Sequence, residues 1–160
     1  MGKVEATTEI EAPLAEVWEL YFDHTRWASW VDGFREVVTK SDYPEKGGAL
    51  RWRTTAAGRG DVEELVTAHE PRSLHRVSYV DPASTGVLEV TFEMLAATTA
   101  ESGRLTRVRQ EVDYRVTSGG PFRALVDFLF IRTQVRLSLE RSLADLRLEV
   151  ERAGGTRAGP

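Results

Sequence analysis

Six short runs of β-forming residues fill the middle of this 160-residue chain, and only one later segment is long enough to cover the sheet they would make. The runs are Phe34–Lys40, Leu50–Thr55, Asp61–Ala68, Leu74–Val80, Val87–Leu95 and Leu105–Val116. Turn signals separate them: Pro44 with Gly47-Gly48, Gly58-Arg59-Gly60, Pro71, Asp81-Pro82 with Gly86, and Gly103. Such spacing, roughly 8–12 residues, predicts an antiparallel meander. Leu88, Val90, Phe92 and Met94 alternate with Glu89, Thr91 and Glu93, while Val108, Val112 and Tyr114 alternate with Arg107, Arg109, Glu111, Asp113 and Arg115. One face therefore meets a core and the other meets water.

The flanks complete the architecture. Val4 to Ile10 alternates with period two and predicts a seventh strand. Pro13 suits the first position of a helix, where its missing N–H costs nothing, and Leu14, Val17, Trp18 and Tyr21 give that helix one apolar stripe. A second short helix is expected over Arg26 to Val31. After Ser118-Gly119-Gly120 a helix is expected from Pro121 to about Arg152, with Leu125, Leu129, Leu139, Leu143, Leu146 and Val150 as its stripe. Thirty helical residues reach about 45 Å, enough to cross a seven-stranded sheet. The predicted fold is α+β, a helix on one face of an antiparallel sheet. One domain is expected over residues 1–152, with 153–160 as a disordered tail.

Composition removes several function classes. The chain has no Cys, hence no disulfide framework, thiol nucleophile or cysteine-held metal. Its three His lack i, i+4 spacing, so no metal site and no cofactor are expected. A net charge of −4 disfavours general nucleic-acid binding. There is no G-x-S-x-G elbow. No apolar run is long enough for a transmembrane segment, and no signal-like h-region opens the chain. A cytoplasmic protein is the resulting expectation.

Specific residues carry a family resemblance. Ile10-Glu11-Ala12-Pro13 is followed by Val17-Trp18, then by Asp23, Trp27 and Trp30. Gly47-Gly48 precedes an Arg-Trp-Arg strand, Val66 stands five residues ahead of Pro71, and Gly103 with Thr106 opens the last strand. With Leu139, Leu143 and Leu146 in the terminal helix, the pattern resembles the START-like (SRPBCC) superfamily, which includes birch-pollen-allergen-like proteins and the polyketide cyclase/dehydrase group. The resemblance implies a helix-grip fold: a seven-stranded curved antiparallel sheet wrapped around a long C-terminal helix, with two short helices after the first strand. It also implies a cavity between sheet and helix for apolar or amphipathic small molecules. Members include carriers, cyclases and co-chaperone-like proteins, so the fold does not fix the activity.

Within such a cavity, inward polar groups would orient a ligand. Gln110 is in phase with Val108, Val112 and Tyr114, and reads as a ligand contact or a satisfied core amide. Tyr79 shares its phase with Val77. His75 does too, but near a strand start it is expected as an exposed ring rather than a cavity group. Glu64 is in phase with Val62 and Val66, yet neighbouring Leu65 argues for the opposite facing. A solvated Glu64 is therefore expected, the alternative being a buried general acid or base. Arg132 and Arg136 interrupt the helix stripe and read as anion-binding or snorkelling guanidiniums. The expected ligand contacts are Trp30, Trp52, Tyr79, Phe92, Gln110, Tyr114, Leu125, Leu129 and Arg132; Glu64, His75 and Tyr79 are the catalytic candidates. Phe122 to Ile131 is apolar on more than one face, which fits either cavity lining or a weak homodimer contact.

The leading expectation is a protein that binds a small hydrophobic or amphipathic ligand (lipid, isoprenoid or polyketide-like). A polyketide aromatase/cyclase or dehydratase-like enzyme is the first alternative, and a co-chaperone-like interaction domain the second.

Overall fold

The computed structural model describes residues 1–55, 60–96, 104–117 and 121–157, with side chains in the last helix described over 129–155. The elements are β1 (Gly2–Ile10), α1 (Leu14–Phe22), a 3-10 turn (His24–Arg26), α2 (Trp27–Trp30), β2 (Phe34–Ser41), β3 (Ala49–Thr54), β4 (Asp61–Glu70), β5 (Leu74–Val80), β6 (Ser84–Leu95), β7 (Leu105–Val116) and α3 (Pro121–Arg157). The seven strands form one antiparallel sheet in the order β1-β7-β6-β5-β4-β3-β2. This is the helix-grip arrangement, with the curved sheet closed around α3.

Period-two alternation sorts the side chains. Val4, Val77, Val90, Val108 and Val112 are buried on the inner face. Across the outer face Arg109 bridges Glu5 and Glu111, and Arg107 reaches Glu9. Each such exposed pair is worth at most about 1 kcal/mol, so the ladder mainly keeps that face wet and the register fixed. Leu143, Leu146 and Val150 of α3 close the core against β1.

Local chemistry sets the ends of the elements. Pro13 stands immediately before α1 with extended backbone, and Thr106 Oγ1 donates to the Ala12 carbonyl at 2.8 Å, tying that entry to β7. Asp23 stops α1 and accepts from the Thr25 amide at 3.1 Å, which starts the 3-10 turn. Beyond α2, the Asp32 amide donates to Ser142 Oγ and fixes the α2–β2 loop to α3.

Four local expectations are corrected. β6 begins at Ser84, so Gly86 lies inside a strand rather than in a turn. A Cβ at Gly86 would overlap the Asp113 carbonyl and crowd Tyr79 and Tyr114, so glycine there lets two tyrosine-bearing strands close over it. Met94, expected inward, is 68% exposed. Leu129, expected in the helix stripe, is 54% exposed. Finally, α3 does not stop at Arg152 but continues to Arg157, through residues expected to be a disordered tail. The expected turn at Gly58-Arg59-Gly60 lies largely outside the described residues, and Gly103 and Ser118-Gly119-Gly120 wholly so.

Candidate functional site

A cavity of about 700 Å³ opens between the inner face of the sheet, α2 and α3. Its wall combines aromatic and aliphatic side chains (Trp27, Trp30, Trp52, Val62, Leu88, Val135) with polar side chains from the sheet and from α3. That size and lining are typical of a small-molecule site. On the sheet side three sets of polar groups are hydrogen-bonded together, and α3 adds Gln134, Ser138, Arg141 and Ser142 to the wall.

The first centres on Glu64. Trp52 Nε1 donates to Glu64 Oε1 at 2.9 Å, and Tyr43 Oη donates to Glu64 Oε2 at a long 3.4 Å. Tyr43 Oη also lies 3.1 Å from His75 Nε2. His75 Nδ1 lies 3.0 Å from Nδ1 of His69. Two backbone features assemble this set. The Gly47 amide bonds to the Val66 carbonyl and the Val66 amide to the Gly48 carbonyl, which folds the β2–β3 loop onto β4 and brings Tyr43 inward. A bulge between Val66 and Ala68 then shifts the phase of β4, so that His69 pairs directly with His75.

Burial controls the charge of this set. His75 is 1% exposed, and burial, helped by neighbouring His69, drives its pKa down to about 3. His69 is also lowered, again by burial, with Glu45 opposing. Both rings are therefore neutral at pH 7 and each carries one N–H. Burial and the nearby Glu64 hold the Tyr43 phenol well above its ordinary pKa, so it keeps its proton.

The second set is Gln110 and Tyr21. Gln110 Nε2 donates to Tyr21 Oη at 2.8 Å, joining β7 to α1 beneath the cavity. Among the described residues, Gln110 Oε1 is a buried acceptor with no hydrogen-bond partner, and Trp30 Nε1 a buried donor without one. Burial dominates Tyr21 and raises its pKa, although the Gln110 bond pulls the other way. In the third set, Asp81 folds back on the β5–β6 turn: its Oδ1 accepts the Ala83 and Ser84 amides and its Oδ2 accepts Ser84 Oγ. Tyr79 Oη meets Ser84 Oγ at 3.5 Å.

The sequence candidates thus divide. Trp30, Trp52, Tyr79, Gln110, Glu64 and His75 all line the cavity. For Glu64 and His75 this reverses the outward expectation: Leu65 is the residue turned out, at 49% exposure, and His75 is among the most buried side chains. Phe92 and Tyr114 are buried but sit away from the cavity wall, Phe92 packing on Trp18, Tyr21 and Phe22. Leu129 and Arg132 are exposed outside the wall. Arg136 is also turned out and faces Glu140. The Leu125 side chain and most of Phe122–Ile131 lie outside the described residues; of the remainder, Phe130 and Ile131 sit at the cavity rim.

Sequence reasoning missed Tyr43, His69, Tyr21, Trp27, Ser142 and Arg141. Tyr43 sits in a loop, where no periodicity speaks, and His69 follows a bulge that periodicity cannot see. Ser142 gave a signal that went unused, since it sits beside Leu143 on the helix face carrying Leu139 and Leu146. Among the described residues no group of three or more His, Cys, Asp or Glu side chains could hold a metal ion.

The sequence profile of the family described as polyketide cyclase / dehydrase and lipid transport matches residues 1–151. The chain belongs to this family. Solved structures agree on the fold of this polyketide cyclase/dehydrase family member. The Zhui aromatase/cyclase from Streptomyces sp. R1128 superposes with a TM-score of 0.76 at 16% identity, covering 99% of both chains. A START superfamily protein from Mycobacterium smegmatis gives 0.70 at 13% identity, covering 94% of this chain and 98% of that one. Truncated norcoclaurine synthase from Thalictrum flavum gives 0.64 at 10% identity, covering 91% and 90%. No curated protein sequence matches significantly. Among the described residues no helix is long and apolar enough to cross a membrane. Family and fold together support a ligand-binding or cyclase role.

Proposed function

We propose that this protein encloses a small amphipathic molecule (lipid, isoprenoid or polyketide-like), its apolar body against the tryptophans and α3 and its polar end toward Glu64, Tyr43 and His75. The observation that carries this reading is the 700 Å³ cavity itself, whose surface is mostly apolar but is interrupted by polar side chains from both the sheet and α3. Each 100 Å² of apolar ligand surface withdrawn from water contributes about 2.5 kcal/mol. Glu64, Tyr43 and His75 add orientation more than affinity, because each must first give up a present hydrogen bond, whereas Gln110 Oε1 and Trp30 Nε1 have none to give up. Trp30, Trp52, Tyr79 and Gln110 are the ligand contacts of this reading.

Native mass spectrometry of freshly purified protein, set beside the same sample denatured, tests it. A discrete excess mass lost on denaturation is the expected result. Clean apo protein that is also not stabilised by a fatty acid, an isoprenoid alcohol or an anthraquinone would remove the reading.

A second reading, an aromatase/cyclase or dehydratase-like enzyme, is favoured by one observation: a carboxylate, a phenol and a neutral imidazole meet in the cavity wall. Those are the groups general acid–base chemistry uses. Turnover of a candidate polyketide that is unchanged in Glu64→Gln, His75→Gln, Tyr43→Phe and Tyr79→Phe would refute it.

A further inference from the structure

We propose that Glu64, Tyr43, His75 and His69 form a proton relay that connects the cavity to the partly exposed C-terminal end of β4. The inference rests on the cavity being the ligand site and extends that reading to the handling of a ligand's proton. It follows from hydrogen-bond bookkeeping rather than from any single contact.

An ionised Glu64 can only accept. The Trp52 indole N–H takes Oε1, so Tyr43 gives its one proton to Oε2. The Tyr43 oxygen must then accept from His75, which places the His75 proton on Nε2 and leaves Nδ1 bare. His69 must accordingly carry its proton on Nδ1 to satisfy that bare nitrogen. One charge in the cavity thereby fixes two tautomers, the second on a ring that is only partly buried.

The protonated state reverses every bond from Glu64 Oε2 outward and leaves the Trp52 bond to Oε1 as it is. Water gives a proton to His69 Nε2, and His69 passes its Nδ1 proton to His75 Nδ1. His75 gives up its Nε2 proton to Tyr43, and Tyr43 gives its own to Glu64 Oε2. One proton has been taken from solvent and one has appeared on Glu64; no ring or phenol has changed its net charge. The reverse sequence returns a proton from Glu64 to water. Glu64 can thus be recharged or discharged while a ligand fills the cavity, and can act as general acid or base toward a weakly acidic O–H or C–H on that ligand. In such a step the carboxylate gains the proton, the H–O or H–C bond breaks, and its electron pair stays on the ligand. Burial supports the scheme, since neutral rings pass a proton on without storing a charge.

The tautomers can be read without any ligand, so failure here is separable from failure of the binding proposal. Nitrogen-15 correlation spectra report which ring nitrogen of each His bears hydrogen, and with three His in the chain a His24→Gln variant completes the assignment. Wild-type protein at neutral pH is expected to show His75 protonated on Nε2 and His69 on Nδ1. In Glu64→Gln, the amide oxygen must serve Trp52, so the amide nitrogen donates to Tyr43 and the chain reverses. His75 is then expected on Nδ1 and His69 on Nε2. In Glu64→Gln with Tyr43→Phe, the link is cut and neither His should respond to the identity of residue 64. Wild-type tautomers other than those stated overturn the proposal, even if the variants do not fold. Tautomers unchanged by Glu64→Gln, or changed equally without Tyr43, overturn it as well.

Discussion

Acid should destabilise this protein through His75, in an amount that can be worked from the structure. His75 is packed among Phe22, Tyr43 and His69, with ring centroids 4.8, 5.3 and 5.2 Å away. The titratable groups facing it are His69 and Tyr43, with Glu64 beyond the phenol. Burial lowers its pKa from 6.5 to about 3. A His whose folded pKa is depressed favours the folded state above its unfolded pKa, and that contribution is lost as pH falls toward the folded value. Between these limits the unfolded chain binds one more proton than the folded one, so stability falls with pH. At pH 5 the loss is about 1.5 units at 1.36 kcal/mol each, or about 2 kcal/mol. That corresponds to a drop in Tm of roughly 4–8 °C for a chain of this length. Other groups titrate in the same range, so the assay is a difference: urea unfolding of wild type and His75→Gln at pH 7.5 and at pH 5. The variant starts less stable, having lost the aromatic contacts, but its own loss between the two pH values should be smaller by about 2 kcal/mol. Equal losses would mean that His75 takes up its proton inside the folded protein, and would refute the argument from burial.

Three other perturbations follow from the geometry. Gly86→Ala places a methyl group on the Asp113 carbonyl and against both flanking tyrosines, and should cost about 3 kcal/mol or more, read as a fall in the thermal midpoint. Tyr21→Phe removes the acceptor for Gln110 Nε2 and leaves a buried donor unpaired, a loss of about 1–3 kcal/mol in urea unfolding, whereas Gln110→Met in the same background should restore part of it. Ser138 faces the cavity from α3; Ser138→Trp should fill it, abolishing the excess mass in native spectra while leaving circular dichroism and the thermal midpoint close to wild type.

The sheet and the terminal helix were legible because they are amphipathic over long stretches, and period-two alternation leaves one consistent inner face. In β7, Thr106, Val108, Gln110, Val112 and Tyr114 are all buried on one face, so the inward position of a lone glutamine could be read from its neighbours. β4 was harder, because Glu64 and Leu65 trade the places that hydrophobicity alone assigns them. An exposed leucine is inexpensive, since much of any protein surface is apolar. An inward, half-buried carboxylate is costly unless hydrogen-bonded, and here the partners come from a loop tyrosine and a neighbouring-strand tryptophan. Neither partner is near Glu64 in sequence, so no local pattern could announce them.

The same reasoning explains why the reactive groups cluster where the sequence is least readable. A strand that keeps its alternation without interruption presents every second side chain to the core, and that alone turns Glu64, His75 and Gln110 inward. To add a second histidine and a phenol to the carboxylate and imidazole, the backbone breaks that rhythm. The bulge after Val66 does so for His69, and the tight loop at Gly47-Gly48 does so for Tyr43. Removing the bulge tests whether phase is all that it supplies. Deleting Thr67 restores regular alternation to β4: Ala68 stays opposite Arg76 and His69 opposite His75, now in the same phase as Val62, Glu64 and Val66. The expected outcome is a folded protein in which the His75 and His69 tautomers still track residue 64. A folded deletion variant in which that tracking is lost would show that the local kink of the bulge, and not the strand pairing, brings the two ring nitrogens together.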